Sequence, residues 1–172
     1  MSKKHWLRKI GSVCLLTLWG LFSLVGVCFS LPEVNEVVSG EVDLQYPDPL
    51  TLQINASDKA ILNYNSFSIG ENESVIINLP AVTNELLNRV LGDSASQILG
   101  KLMCNGIFIL INQNGIFFGP QAQVDVASMI ASTRDITNSD FLDSQYIFGK
   151  LSPQQLDALL INQGAINIRQ GG

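Results

Sequence analysis

The sequence predicts an all-β fold built of short, repeated strands, and three observations predict it. From Thr51 onward, short apolar runs alternate with clusters of Asn, Gly, Asp and Ser, the pattern of strands punctuated by turns. Blocks of sequence recur. Asn105-Gly106-Ile107-Phe108 returns nine residues later as Asn114-Gly115-Ile116-Phe117, and Ile111-Asn112-Gln113 returns fifty residues later as Ile161-Asn162-Gln163. Helical periodicity is weak along the same stretch, so evenly spaced strands point to a β repeat structure.

The first thirty residues differ in kind from the rest. Lys3, Lys4, Arg8 and Lys9 precede an uncharged apolar stretch from Ile10 to Leu31, and small Ser30 stands just before Leu31-Pro32. This is the layout of a secretory signal peptide over residues 1–30, cleaved near Ser30. A retained anchor is the alternative, since about twenty apolar residues can span a bilayer. Val27 precedes Cys28 and Val13 precedes Cys14, so neither cysteine follows the small residue that lipidation needs.

Removal of that segment changes the remaining chemistry. The six cations left are Lys59, Arg89, Lys101, Arg134, Lys150 and Arg169; against fifteen Asp and Glu they give a formal charge of −9. Such a surface repels nucleic acid and anionic lipid. His5, Cys14 and Cys28 all lie in the first thirty residues, which leaves Cys104 as the one cysteine beyond them and no histidine. Imidazole-dependent nucleophilic catalysis and the usual transition-metal sites then lack their ligands. No cofactor and no metal are expected, and Cys104 reads as a small buried apolar residue.

Strands are predicted near Leu52–Asn55, Ala60–Asn63, Val75–Leu79, Leu86–Val90, Ile107–Ile111, Gly115–Phe118, Gln123–Val126 and Ser128–Ala131. Several alternate with period two, as in Ala60-Ile61-Leu62-Asn63-Tyr64 and Ala122-Gln123-Val124-Asp125-Val126. Ser152-Pro153-Gln154-Gln155 has the form of a capping box and predicts a short helix through Leu160. A second helical turn is expected over Ser139–Leu142. Leu31–Tyr46 reads as strands that cover the N-terminal end, with Pro47-Asp48-Pro49 as the bend into the first coil. Asn-Gly is also a hairpin signal, which keeps an antiparallel sandwich open beside a parallel β-helix. Ile107-Phe108-Ile109-Leu110-Ile111, apolar at every position, suits a strand buried on both faces, one of them under an element outside the coil.

The residues themselves carry a sharper signal. Lys59-Ala60-Ile61-Leu62-Asn63-Tyr64-Asn65-Ser66-Phe67-Ser68-Ile69-Gly70 resembles the A-I-I-N-W-x-x-F-x-I-G opening of the haemagglutination-activity domain. That domain is the N-terminal two-partner secretion domain of filamentous-haemagglutinin-like exoproteins. Leu87-Asn88-Arg89-Val90 with Ser96-Gln97-Ile98-Leu99-Gly100, then Leu110-Ile111-Asn112-Gln113-Asn114-Gly115 through Pro120, and Ala131-Ser132-Thr133-Arg134-Asp135-Ile136 are similar to further family blocks in the family's order. Leu160-Ile161-Asn162-Gln163-Gly164-Ala165-Ile166 resembles the start of the coils that follow.

The resemblance implies a right-handed parallel β-helix, a pectin-lyase-like solenoid, with N-terminal cap strands and extra-helical strands. The resemblance begins near Leu50, so the cap is expected at residues 31–49 and the coils at residues 50–172. It implies recognition by periplasmic domains of an outer-membrane barrel transporter, export to the surface or medium of a diderm bacterium, and a parent exoprotein linked to adhesion or haemagglutination. Two departures stand in turns: Gln113 replaces the family's proline, and Asp93-Ser94-Ala95 replaces its Gly-Asn-Pro. Losing a turn proline costs modest unfolded-state entropy and spares the fold.

The recognition residues the resemblance implies are Asn112, Gln113, Asn114 and Gly115, with Asn63, Asn88 and Arg89 from the earlier blocks. The structural alternative is that Asn63, Asn65, Asn78, Asn88, Asn112, Asn114 and Asn162 sit at strand ends, where amides satisfy backbone groups at corners. For transport, alternating Leu50–Tyr64 suits addition to a receptor sheet edge. Two other classes stay in view. A polysaccharide-acting β-helix enzyme would draw on Asp125, Arg134 and Asp135, and a glycan-binding adhesin would use Tyr64, Phe67, Phe117, Phe118, Tyr146 and Phe148. Solvated turn charges and core packing are the plainer readings of those two sets, and the chain is not expected to be an enzyme. Asn55-Ala56-Ser57 and Asn72-Glu73-Ser74 match glycosylation acceptors by chance in a bacterial-type chain.

Overall fold

Alternation along the strands becomes the inside and outside of a coil. In the computed structural model, which describes residues 31–149 and 157–169, twelve strands and one short helix are present among those residues. The expected signal peptide lies outside the described residues. They form a parallel β-solenoid of about four turns, the right-handed β-helix expected, and not a sandwich.

Each turn has three faces. The first stacks β3 (Thr51–Ala56), β5 (Ser74–Asn78), the start of β8 (Lys101–Asn112), the start of β10 (Gln123–Ser132) and β12 (Ala165–Ile168), all in parallel. The second stacks β4 (Ala60–Ser66), β6 (Glu85–Val90), and the later halves of β8 and β10. The third stacks β7 (Ser96–Ile98), β9 (Ile116–Phe118) and β11 (Leu160–Asn162), begun by a bridge between Ile69 and Ile98.

The register sends like residues to like depth. Leu52, Val75, Leu102 and Val124 stack at 0 % exposure inside the first face, and Ile54, Ile77, Cys104 and Val126 form the next buried row. On the second face Ala60, Leu86 and Phe108 stack in the core. Each large side chain so buried stabilises by roughly 1.5–3 kcal/mol relative to exposure. Tight corners let the coils stack: a Cβ on Gly100 would lie 2.2 Å from the Gly70 carbonyl oxygen and 2.4 Å from that of Glu73.

Two strands close the first coil. β1 (Glu33–Ser39) pairs antiparallel with β4, and β2 (Val42–Asp48) pairs antiparallel with β3. The Pro47–Pro49 bend is the tip of the β2–β3 hairpin, where the Asp48 carboxylate accepts from the Leu50 N–H at 2.8 Å. Glu33, Glu36, Asp43 and Asp48 keep these edge strands charged, a barrier to edge-to-edge association.

The structure shifts several expected elements. Gln123–Val126 and Ser128–Ala131 are one strand with an irregularity at Ala127, and Ile107–Ile111 is the second half of twelve-residue β8. β7, β11 and β12 were not among the expected strands. The predicted helix from Ser152 falls largely outside the described residues, and its expected end at Leu160 is strand. The turn at Ser139–Leu142 is α1 (Asn138–Leu142), whose N-cap Thr137 hydroxyl accepts from the Asp140 N–H.

The nine-residue recurrence is not a coil repeat. Asn105-Gly106 lies where β8 turns from the first face to the second, and Asn114-Gly115 lies in the corner from the second face to the third. Similar residues serve successive corners of one coil, so parity flips: Phe108 points inward and Phe117 is half-buried.

Candidate functional site

The Asn112–Gly115 corner is built from its own side chains. Asn112 has no exposed surface; its amide N–H groups donate to the Ser94 carbonyl (3.0 Å) and Ser96 Oγ (2.9 Å). Its Oδ1 accepts from the Asn114 N–H at 2.9 Å, and its carbonyl accepts from the Gly115 N–H at 3.1 Å. Asn114, exposed, donates to the Gly92 carbonyl at 2.7 Å. Gly115 holds φ +114°, a conformation side chains resist. Asn162 makes the same turn at another corner, accepting from the Gly164 N–H at 3.0 Å. What this corner offers to a partner is Gln113, half-buried, and the exposed face of Asn114. Asn112→Ala strips the Ser94 carbonyl and Ser96 hydroxyl of their partner. A loss of about 1–3 kcal/mol is expected, read from urea unfolding, with Asn114→Ala costing less.

Asn63, Asn88 and Arg89 lie elsewhere, and not at strand ends. All three sit within β4 or β6, paired in register. Asn88 points into the core between Leu62 and Leu110. Its Oδ1 accepts from the Tyr64 hydroxyl at 2.9 Å, and its amide donates to the carbonyls of Leu86 and Ile109. Burial, with a smaller contribution from Tyr46, pushes the Tyr64 hydroxyl far above its ordinary range. A core amide so satisfied has a structural role.

Asn63 and Arg89 face outward, beneath residues 133–149, which leave the solenoid after β10. Arg89 Nε donates to Asp135 Oδ1 at 2.8 Å, Nη1 to Asn138 Oδ1 at 2.8 Å and to Asn63 Oδ1 at 3.5 Å, and Nη2 to the Ile136 carbonyl at 2.7 Å. Ile136 and Phe141 then cover Ile61, Leu87, Ile109 and Ile111, which is why the Ile107–Ile111 run is apolar on both sides. Lys59, which sequence reasoning missed, holds the other end: its ammonium donates to Glu85 Oε2, the Phe141 carbonyl and Ser144 Oγ, each at 3.0 Å. Its φ of 55° marks a strained turn, but partners 82 and 85 residues away leave no local signal. A cleft of about 530 Å³ opens beside this cluster, lined by Asn63, Arg89, Leu91, Asp135, Thr137 and Ile147 among others.

Residues 50–172 match the TPS secretion domain family. The chain belongs to the two-partner secretion (TPS) domain family. Among curated proteins it is similar to the heme/hemopexin-binding protein of Haemophilus influenzae, 34 % identical over 119 residues, 68 % of this chain and 13 % of that protein. The same-named protein of strain ATCC 51907 / DSM 11121 / KW20 / Rd is 36 % identical over 107 residues, covering 62 % of this chain and 12 % of that protein. The chain therefore spans about an eighth of the length of these relatives. Among solved structures, the HMW1 secretion domain from Haemophilus influenzae superposes with a TM-score of 0.74 at 32 % identity, covering 77 % of this chain and 35 % of that one.

In this TPS domain the enzyme candidates do not converge. Asp135 is bound to Arg89, Asp125 pairs with Arg169, and Arg134 pairs with Asp157, each on its own element. The Arg169 guanidinium holds the Asp125 carboxyl below its usual range, the opposite of what a general acid needs. Of the aromatic set, Tyr64, Phe67 and Phe118 are core residues at 1 % exposure or less, Phe117 and Phe148 are half-buried, and Tyr146 is exposed. No shared aromatic platform forms from them.

Cys104 is buried, and burial pushes its thiol up to about 11. In the folded TPS domain it should not react with a disulfide reagent near pH 8 and should react fully once unfolded, as colorimetric thiol titration would read. The stability that neutral Cys104 contributes is full below its ordinary 9.0 and falls away as pH rises toward about 11.

Proposed function

We propose that this chain is the export-recognition segment of a two-partner exoprotein, read by the periplasmic domains of an outer-membrane barrel transporter. The observation that carries the reading is the family match over residues 50–172, a range that takes in β3 to β12. TPS exoproteins pass through the periplasm to the surface or medium, which agrees with a signal peptide at residues 1–30. The family is a secretion family and not an enzyme family. We propose export recognition alone for this segment, and not the heme or hemopexin binding in the relatives' name.

Recognition at the Asn112–Gly115 corner would use Gln113 and Asn114, since Asn112 is enclosed. Addition of Leu50–Tyr64 to a receptor sheet would need the cap displaced, because β3 and β4 are already paired on both edges by β2 and β5, and by β1 and β6. Binding to the isolated periplasmic domains of the candidate barrel tests the reading. Gln113→Ala with Asn114→Ala should weaken binding at unchanged melting temperature if the corner is contacted directly. Weakening only by Asn112→Ala, together with lost stability, would make the corner a support for some other contact. No binding by the unmodified protein would contradict the proposal.

A further inference from the structure

We propose that residues 133–149 form a strap that closes after the coils have stacked and then locks the N-terminal coils kinetically. The strap leaves the solenoid after β10, in the fourth coil, and turns back over the outward face of β4, β6 and β8. Its anchors come from the first two coils. Lys59, at the first coil, grips the Phe141 carbonyl and lies 4.7 Å from the Phe141 ring centre. Arg89, in the second coil, grips Asp135, Ile136 and Asn138, between 46 and 49 residues away.

The surface the strap covers does not exist until three coils are in register. Ile61, Leu87 and Ile109 come from β4, β6 and β8 and form one outward row only through parallel pairing. Phe141 and Ile136, at 0 % and 2 % exposure, then fill that row. Strap contacts span the long loop from the first coil to the fourth, so their closure entropy falls on a late step. Within itself the strap has little to hold it: α1 is five residues long, too short to persist alone. Contacts made after the rate-limiting step slow unfolding without speeding folding, which is the property of a lock.

Pulse-labelling hydrogen exchange during refolding, on protein purified as the host processes it, tests the order of events. The Phe141, Asp143 and Gly149 amides are bonded within the strap, and the proposal expects them to gain protection after the amides of β8. Simultaneous or earlier protection would overturn it. In parallel, Phe141→Ala should raise the unfolding rate roughly 100-fold and leave the refolding rate within about twofold. Slowing of refolding by a comparable factor would place the strap in the folding nucleus and equally overturn the proposal. The exchange experiment needs no variant, so a Phe141→Ala protein that fails to fold leaves the test intact.

Discussion

Arg89→Ala lowers the stability of the domain by about 3–5 kcal/mol, the cost of leaving a buried charge without its partner. Arg89 and Asp135 side chains are 9 % and 14 % exposed, so water does little to screen the loss. The guanidinium is the hub of the strap: without it the Asp135 carboxylate, the Asn138 amide oxygen and the Ile136 carbonyl all lose a donor. The Ile136 N–H still donates to Asp135 Oδ1 at 2.8 Å, but a neutral donor does not replace the charge of the guanidinium. A double variant, Arg89→Met with Asp135→Leu, should recover part of the loss, because it removes both charges rather than stranding one. Urea unfolding of the two variants separates the outcomes. Equal loss in both would mean that packing under the strap, and not the ion pair, sets the cost.

Phe108→Ala costs a similar amount, about 3–5 kcal/mol, through the cavity it leaves. Phe108 is fully buried, its ring centre 5.9 Å from that of Phe67, which meets Tyr64 edge-on at 5.1 Å. The two rings belong to different coils, so the void falls where coils stack on one another. Phe117→Ala, at the matching position of the repeated block, should cost far less because that ring is half-buried. Thermal or urea unfolding of the pair checks it. The contrast separates a true coil repeat, in which both would matter, from corner residues reused within one coil.

These two positions also show what could be read from the chain. Apolar residues at every position of Ile107–Ile111 announced burial on both faces, and the structure supplies both covers: the coil interior for Phe108 and Leu110, the strap for Ile109 and Ile111. The family blocks gave the solenoid, because they are local and ordered. Alternation could not place Asn88, which occupies an inward position between Leu86 and Val90; a core amide looks like a strand end until its partners Tyr64 and Ile109 are seen. Nor could it find the strap anchors. Lys59 and Arg89 meet partners 46 to 85 residues away, and only stacking of the coils brings them together. The Asn112 corner was legible as a turn, since Asn-x-Asn-Gly is turn chemistry, but its enclosure depends on Ser94 and Ser96 of the preceding coil.

Export through a dedicated partner is tested by secretion of a tagged copy from a diderm host with and without the candidate barrel. The protein should reach the medium only when the barrel is present, and changing Gln113 and Asn114 to Ala should reduce secretion while β-structure measured by circular dichroism persists. Retention of a well-folded protein in the periplasm despite the barrel would contradict it.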